Sequence, residues 1–475
     1  MDAAHDPQSS KVMNPRPAAR AIDAIVFYAL LVVIALSAIP YGAVEPWWKS
    51  LFQCLVFALA GLYVIRKLLP LDEAPPRYSL SHYPLIWPIL ALIAFAFLQT
   101  IPARPAVSAD VFQTRQFIVY IFALLALSWL LITHTTDEKR LRRLVDLVIA
   151  VGTISALFGL WRQASQQSPG FVLPHLLAGY GYAQFINSNH FAFLMEMALG
   201  LALGIAVCRG VTGKRLAAYL IAAVPMWVAL VFANSRGGVL SMLCQVVFLA
   251  ALFVSRQNQP DEDPARSAAT AAKARLSGAR LLVLRLVLVT TLLLGAVVTV
   301  VFVGGDPLTG RINSMSVELD RKTAETYTLR PNIWRATWEL IKDHPVAGVG
   351  FGGYWIAITK YHRGSGETTP QEAHNDYLEL LASGGVIGLA IGFWFALALV
   401  RTASRKLSKL RSLDAGKSGS FSRAVTLGAL AGILTVAIHS LVDFGLHITI
   451  NAVIFTVLVS IVCINVGSKK LSQIN

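Results

Sequence analysis

Long apolar runs separated by short polar segments fill the chain from residue 22 to residue 466. A run of about 20 apolar residues is long enough to cross the hydrocarbon core of a bilayer as an α-helix. The pattern therefore predicts an all-α, polytopic membrane protein with about 12 transmembrane helices. The predicted spans are 22–40, 48–68, 83–101, 114–133, 143–162, 189–208, 216–233, 237–255, 281–303, 377–400, 424–440 and 445–466.

The polar segments between the spans differ in length and composition. Segments 256–280 and 401–423 are rich in Ala, Ser, Lys and Arg, which predicts solvated linkers. The segment 304–376 is far longer than an ordinary connection. Within it, 331–345 has apolar residues at helical spacing after a proline suited to a first helical turn, and 348–355 is a glycine-rich turn. We expect one large, partly helical loop there.

Charge and composition place these segments relative to the membrane. Only 14% of residues are charged, against about 25% in a soluble domain. The net charge is +15, and most of the 41 basic residues fall in alternate connections and in the two tails. This positive-inside asymmetry predicts cytoplasmic termini and an outer 304–376 loop, and it explains the charge without nucleic-acid binding. The N-terminus is too polar for a cleaved signal peptide, so the first span is expected to stay.

The expected organisation follows from these assignments. A cytoplasmic tail, 1–21, precedes nine spans within 22–303. The outer loop 304–376 carries the candidate catalytic motif, three spans occupy 377–466, and 467–475 is a cytoplasmic tail. The four cysteines have no paired spacing, so neither a disulfide framework nor a zinc site is expected.

Three arginines are candidate phosphate ligands. Arg236 follows the seventh span and precedes two glycines, where an arginine needs a partner or must extend to the interface. Arg330 and Arg335 lie at the start of the predicted loop helix, and guanidinium groups bind phosphate oxygens with two hydrogen bonds. For Arg330 and Arg335, the alternative is an ordinary charge on a solvated helix face.

Polar residues also stand at the starts of predicted helices. His374 precedes the tenth span and has the chemistry of a general base near neutral pH, although a histidine there is often a plain interface residue. Asn375 and Asp376 are expected to cap that helix. The sixth span opens with Asn187 and Asn189, which are candidate caps and substrate contacts, and with His190, which is a candidate sugar or phosphate contact.

A last polar group is HSLVDFGLHI, residues 439–448. His439, Asp443 and His447 are four residues apart, which would suit a metal if one helix ran through them. Gly445 favours a turn instead. We therefore predict no metal there, and substrate contacts or a structural role for His439 and Asp443.

Several of these stretches together resemble the O-antigen ligase and Wzy-type polymerase superfamily. The resemblance is carried by RPNIWRATWELIKDHPVAGVGFGGYW from Arg330, by AHNDYLELLASGGVIGL to Leu389, by FINSNHFA at 185–192 and by SRGG at 235–238. Arg236 and Leu240 reproduce an Arg-x-x-x-Leu pattern, and HSLVDFGLHI is similar to a motif of exopolysaccharide-related members. The resemblance covers roughly residues 180 to 451.

The resemblance implies a bacterial inner-membrane glycosyltransferase with its active site on the periplasmic side. The donor would be an undecaprenyl-diphosphate-linked glycan, and the acceptor lipid A-core or another glycan. His374 would be the general base, and Arg236 and Arg330, with Arg335 nearby, would hold the diphosphate. The reaction would invert the anomeric centre without a metal or other cofactor. Aromatic candidates for sugar platforms are Trp334, Trp338, Tyr354, Trp355, Tyr361 and Tyr377.

The sequence leaves alternatives open. A Wzy-type O-antigen or exopolysaccharide polymerase, or a protein O-oligosaccharyltransferase, would share the donor site and differ only in acceptor. A lipid-linked sugar transporter would need a polar lane through the spans, where the sequence shows few deep charges apart from Arg285. A non-catalytic assembly scaffold would tolerate the loss of His374.

Overall fold

The computed structural model describes residues 15–39, 41–68, 83–102, 106–165, 181–257, 330–362, 370–413 and 420–466. Within these ranges the regular structure is helical, apart from an isolated bridge between Tyr182 and Phe185. The first eight helices are α1 (Pro15–Leu36), α2 (Pro46–Leu68), α3 (Ile86–Gln99), α4 (Val111–His134), α5 (Glu138–Ser165), α6 (Ser188–Val207), α7 (Gly213–Phe232) and α8 (Arg236–Gln257). They are followed by α9 (Arg330–Asp343), α10 (Tyr354–Ala357), α11 (Asp376–Leu413), α12 (Ser420–His439) and α13 (Thr449–Cys463).

Every predicted span except 281–303 coincides with one of these helices, and that span lies outside the described residues. Seven of the described helices, α2, α4, α5, α6, α7, α11 and α12, are long and apolar enough to cross a membrane. Three more apolar helices, in α3, α8 and α13, are shorter: Ile86–Gln99, Arg236–Leu252 and Thr449–Cys463. The all-helical membrane character is confirmed, and the count of twelve spans stays a prediction.

The linker prediction for 401–423 is wrong over most of its length. Helix α11 continues without interruption to Leu413, and α12 begins at Ser420. The physical reason is that Lys and Arg are good helix formers, so a charged segment directly after an apolar helix extends it. In the other predicted linker, 256–280, helix α8 runs on to Gln257, and the rest lies outside the described residues.

The long segment 304–376 packs onto the helices over the part that is described. Its predicted helix is present as α9, whose buried Leu340 packs in a small core with Tyr354 of α10. The glycine-rich turn follows with three positive φ angles, at Gly348, Gly350 and Gly352. A side chain at Gly348 would meet the backbone of Ser383 at 2.3 Å. The turn therefore lies directly against α11.

Helix α11 is kinked where the glycine-rich turn meets it. Gly385 has φ 59° inside the helix, a conformation that favours glycine. Gln99 of α3 donates to Ala347 O at 2.7 Å and to Ser383 O at 3.0 Å, so one side chain ties the turn and the kink together. Phe351 of the turn stacks on Phe117 of α4. These contacts hold the glycine-rich turn against α3, α4 and α11.

Helix α6 lies at the centre of the described bundle, and its residues from His190 to Val207 are all buried. It crosses α12 closely because glycines face each other: a side chain at Gly204 would lie 2.2 Å from the Cα atom of Gly428. Small residues at such crossings let two backbones approach. This contact brings the first turns of α6 beside the end of α12, where the candidate site lies.

Candidate functional site

The carboxylate of Asp443, in the turn after α12, gathers side chains from three distant parts of the chain. Its Oδ2 atom accepts from Arg330 at 2.9 Å and from Asn189 Nδ2 at 2.5 Å. Its Oδ1 atom accepts from the backbone N–H of Phe444 at 3.0 Å and lies 3.5 Å from His374 Nδ1. The structure therefore brings the predicted residues Arg330, His374, Asn189 and Asp443 into one cluster.

The electrostatics of this cluster keep Asp443 ionised. Its side chain is only 1% exposed, and burial alone would raise the pKa of the carboxyl group. The nearby imidazole of His374 and the charge of Arg330 outweigh that effect, and they lower the pKa of Asp443 to about 2. A fixed negative charge thus faces the histidine at neutral pH.

His374 has the geometry of an oriented base. Its backbone φ is +49°, which is uncommon for a residue with a side chain and marks sites where the surroundings hold the backbone. The imidazole packs edge-on against Phe444, with ring centroids 4.8 Å apart, and remains about one-third exposed. Because Nδ1 faces Asp443, the tautomer with its proton on Nδ1 is favoured, and Nε2 can accept a proton from substrate.

The arginines differ in their placement. Arg330 begins α9 and binds Asp443 while its side chain stays 41% exposed, so it can also face a ligand. Arg335 donates to Asn332 on the surface of the same helix, and the structure does not bring it to Asp443. Five residues along an α-helix correspond to roughly 140° around its axis, so Arg330 and Arg335 point in different directions.

Arg236 is the first residue of α8 and is exposed. Within the ranges that the structure describes, no carboxylate or other acceptor contacts its guanidinium group. The next residue, Gly237, lies against the segment that leads to Asp443, because a side chain there would sit 2.8 Å from Val442 Cγ2. Among the described residues Arg236 is thus an unpaired cation next to the turn that leads to Asp443, which suits an anionic ligand.

The predicted caps are partly correct. Asn187 caps α6 by accepting from Asn189 N, and Asn375 accepts from the backbone N–H groups of Tyr377 and Leu378. Asp376 does not cap: its carboxylate accepts from Ser440 Oγ at 2.6 Å. The amide of Asn375 reaches both helix N–H groups, which leaves the Asp376 side chain free to bind across to the end of α12.

Two predicted substrate contacts are buried. His190 is 7% exposed and packs edge-on against Phe444, with ring centroids 4.6 Å apart. His439 is 1% exposed, stacks on Phe193, and binds Glu196 Oε1 through Nδ1 at 2.8 Å. Both histidines therefore lie behind the exposed residues of the cluster.

Glu196 corrects one expectation from the sequence. The spans were expected to hold few deep charges, yet Glu196 lies inside α6 and is fully buried. A carboxylate within an apolar run is the signal that should have singled it out. Over the described part of the chain, packed groups enclose Glu196 and His439, so this pair gives no support to the transporter alternative.

His447 lies in a second cluster, which also contacts Phe444. Its Nδ1 is 3.1 Å from Glu372, and its Nε2 is 3.4 Å from Glu379 and 3.7 Å from Asp376. Burial disfavours the charged imidazole, but Glu372 and Glu379 outweigh it and raise the pKa of His447 well above its usual value. The same pairing lowers the pKa of Glu372 to about 2, against the effect of burial.

This second cluster, which sequence reasoning missed, is also the group among the described residues whose spacing could hold a metal ion. The ligand atoms of Glu372, Glu379 and His447 lie within 4.8 Å of one another. A metal would have to displace the proton that the carboxylates favour on His447. The helix needed for a metal bound by His439, Asp443 and His447 ends at His439, and those three side chains have different partners.

The aromatic residues proposed as sugar platforms divide into exposed and anchored side chains. Trp338 and Trp355 are exposed, whereas Tyr354 is buried in the loop core and its hydroxyl pairs with Thr337. Tyr354 is therefore not available to a sugar. Three others are anchored through hydrogen bonds: Trp334 to Ala373, Tyr361 to Asp343 and Tyr377 to Ala437.

A comparison with known protein families matches part of the chain that contributes to this site. Residues 221–393 match the family model described as O-antigen ligase. The matched segment contains Arg236, Arg330 and His374, while Asp443 lies beyond it. The resemblance noted in the sequence is confirmed over this segment, which is less than half of the chain. No curated protein matches the chain.

Proposed function

We propose that this protein transfers a glycan from an undecaprenyl-diphosphate carrier to an acceptor hydroxyl at the periplasmic face of the bacterial inner membrane. The observation that carries the proposal is the Asp443 cluster, in which one buried carboxylate binds Arg330 and faces His374. A base and a phosphate-binding cation are thereby held side by side, and the family match covers both of them.

The proposed reaction uses these side chains in distinct roles. His374 Nε2 takes the proton from the acceptor hydroxyl as its oxygen attacks the anomeric carbon. The bond from that carbon to the diphosphate oxygen breaks, and attack from the opposite face inverts the centre. The lipid diphosphate leaves with the bonding electrons, and Arg330 and Arg236 stabilise its growing negative charge. Asp443 stabilises the imidazolium that forms on His374.

Arginines take the place of a metal ion in this proposal, so neither a metal nor another cofactor is expected. Guanidinium groups match phosphate oxygens in shape and stay charged at all working pH values. Asn187, Asn189 and Asn375 are engaged in caps or in the Asp443 cluster. We therefore assign them to shaping the site, and Arg335 to an outer, secondary contact with the diphosphate.

The acceptor we favour is lipid A-core, which makes the protein an O-antigen ligase. A repeat-unit polymerase or a protein O-oligosaccharyltransferase would use the same donor site. The deciding experiment is a membrane assay in which a defined undecaprenyl-diphosphate-linked glycan is offered with lipid A-core, a second lipid-linked repeat, or a peptide. We expect transfer to lipid A-core. Transfer to one of the other acceptors alone would reassign the acceptor, and no transfer to any would contradict the proposal.

The proposed orientation has both termini in the cytoplasm and the segment 304–376 in the periplasm. It rests on the distribution of basic residues, with segments such as 401–423 inside. Reporter fusions at Gly310 and Lys417 are expected to report opposite sides of the membrane. Fusions that report the same side would contradict this topology.

A further inference from the structure

We propose that Glu196 and His439 form a positioning pair that holds Arg236 and Asp443 at a fixed separation. The inference rests on the proposed function, because Arg236 and the Asp443 cluster are the two sides of the proposed diphosphate site. Neither Glu196 nor His439 is exposed enough to touch a substrate. Their proposed effect on the donor is therefore indirect, through the two elements that they contact.

The first contact is with the start of α8, next to Arg236. A side chain at Gly237 would lie 2.6 Å from the Cδ2 and Nε2 atoms of His439, closer than real contacts allow. A side chain at Gly238 would lie 3.1 Å from Glu196 Oε1 and 2.8 Å from the Ala192 methyl group. The two glycines after Arg236 are thus the surface on which the Glu196–His439 pair rests.

The second contact is with Asp443. The carbonyl oxygen of His439 accepts from the backbone N–H groups of Val442 and Asp443 at 2.9 and 3.1 Å. This ends α12 in a tight turn and aims the Asp443 carboxylate at its partners. His439 therefore touches both sides of the site, with its ring against the Arg236 helix and its backbone against Asp443.

Helix α6 holds this turn at two levels. Asn189 binds Asp443 at 2.5 Å, and Glu196, seven residues later, binds His439 at 2.8 Å. Seven residues are close to two full turns, so both side chains point from one face of α6 and are separated by roughly 10 Å along its axis. Asn189 and Glu196 thus hold the turn at two points along α6. The stacking of Phe193 on the His439 ring prevents rotation of that ring.

Glu196 and His439 are an unfavourable choice if their only role is to fill space in the bundle. Among the described residues, Glu196 Oε2 and His439 Nε2 have no hydrogen-bond partner. Buried polar atoms without partners destabilise a protein, and a pair of apolar residues of similar volume would fill the space without that cost. A directional bond fixes the angle of the imidazole, which apolar contacts would not do. The pair is therefore better suited to positioning than to simple packing.

The first test perturbs the contact without touching the pair. Gly237→Ala adds one methyl group against the His439 ring, whereas Gly61→Ala in α2 adds the same group where no atom lies within 4 Å. We expect purified full-length protein carrying Gly237→Ala to bind undecaprenyl diphosphate about tenfold more weakly and to transfer glycan on the order of 10²-fold more slowly. Gly61→Ala is expected to match the parent in both measurements.

The second test asks whether the pair acts through Arg236. Glu196→Ala is expected to weaken binding of undecaprenyl diphosphate about tenfold, and Glu196→Gln, which keeps the volume and one hydrogen bond, to restore most of it. In the Arg236→Ala background, Glu196→Ala should cause little further loss, because the residue it positions is gone. Thr435→Val, which removes a buried hydroxyl one turn earlier in α12, is the control for general damage to the bundle.

The outcomes separate the two proposals. If the parent protein binds no undecaprenyl diphosphate, or Arg236→Ala binds it as well as the parent, the proposed donor site is wrong and this inference falls with it. If Arg236→Ala weakens binding but Gly237→Ala behaves like Gly61→Ala, the positioning role alone is overturned. Losses from Glu196→Ala and Arg236→Ala that multiply in the double variant would likewise assign the pair to stability only.

Discussion

Two histidine clusters share a contact with the Phe444 ring, and their charges are arranged in opposite ways. In the first, one carboxylate, Asp443, is shared by Arg330, Asn189 and His374. In the second, one imidazole, that of His447, is shared by three carboxylates. Phe444 packs edge-on against the imidazole of each cluster.

The difference determines which histidine can act as a base. Carboxylates on both sides of His447 favour its proton, so its nitrogens are committed to ion pairs. His374 meets a carboxylate at Nδ1 only, and that carboxylate is already shared with Arg330. A base must accept a proton during the reaction and give it up afterwards, which requires a free nitrogen. The comparison therefore assigns chemistry to His374 and structure to His447.

The largest expected effect is the loss of His374. His374→Ala removes the base but leaves Arg330 and Arg236 in place, so transfer should fall by roughly 10²–10⁴-fold while undecaprenyl diphosphate still binds. The matched control is His344→Ala, at an exposed histidine just after α9. Transfer rates and donor binding of the purified variants provide the measurement. A His374→Ala protein that transfers at the parent rate would remove the catalytic assignment.

The second-largest effect on transfer is expected at Asp443, the carboxylate shared by Arg330, Asn189 and His374. Asp443→Asn keeps the shape of the side chain but removes the charge that orients His374 and holds Arg330, so we expect transfer to slow on the order of 10²-fold. Asp376→Asn, the same change in the second cluster, should stay within a few-fold of the parent rate, because Asp376 binds Ser440 and not the base. Equal losses in both variants would show that the two clusters do not differ as described.

Much of the fold could be predicted from the sequence, because a membrane span is a local property of about 20 residues. The helix at α9 and the glycine-rich turn were also predicted from local spacing. The pairings at the site could not be predicted in this way, since Arg330 and Asp443 are 113 residues apart and Glu196 and His439 are 243 apart. Apart from Glu196, the sequence offered the residues of the site as separate candidates, and the crossing of α6 and α12 helps to bring them together.

A smaller effect is expected at Arg330. Arg330→Ala should weaken binding of undecaprenyl diphosphate by about tenfold, the scale of one charge-assisted hydrogen bond. Arg330→Lys should recover only part of this affinity, because lysine keeps the charge but loses the two-pronged geometry. Arg335→Ala, five residues along the same helix, provides the comparison and should weaken binding less. A larger loss at Arg335 than at Arg330 would move the donor away from the Asp443 cluster.

The second cluster is expected to make the thermal stability of the protein depend on pH. The folded-state pKa of His447 is raised above its usual 6.5, so its ion pairs stabilise the fold fully below pH 6.5, and that stabilisation is lost as pH rises through the raised value. Glu372 acts in the opposite sense: its contribution is present above pH 4.5 and is lost as pH falls toward 2. We expect the thermal unfolding midpoint in detergent to fall above neutral pH, and His447→Gln to flatten that dependence. An equally steep dependence in His447→Gln would assign it to other groups.

The smallest expected effect is that of a chelator, and it tests both clusters together. Incubation with a strong chelator should leave transfer unchanged, because Arg236 and Arg330 supply the positive charge that a cation would otherwise bring to the diphosphate. It should also leave His447 undisturbed, since a protonated imidazole between Glu372 and Glu379 has no lone pair for a metal. The result that would contradict this expectation is a complete loss of transfer that a single divalent cation reverses. If His447→Gln then abolished the rescue by the cation while His374→Ala bound the cation normally, the second cluster would hold a metal that the reaction needs. His447 would then have a chemical role, and not only a structural one.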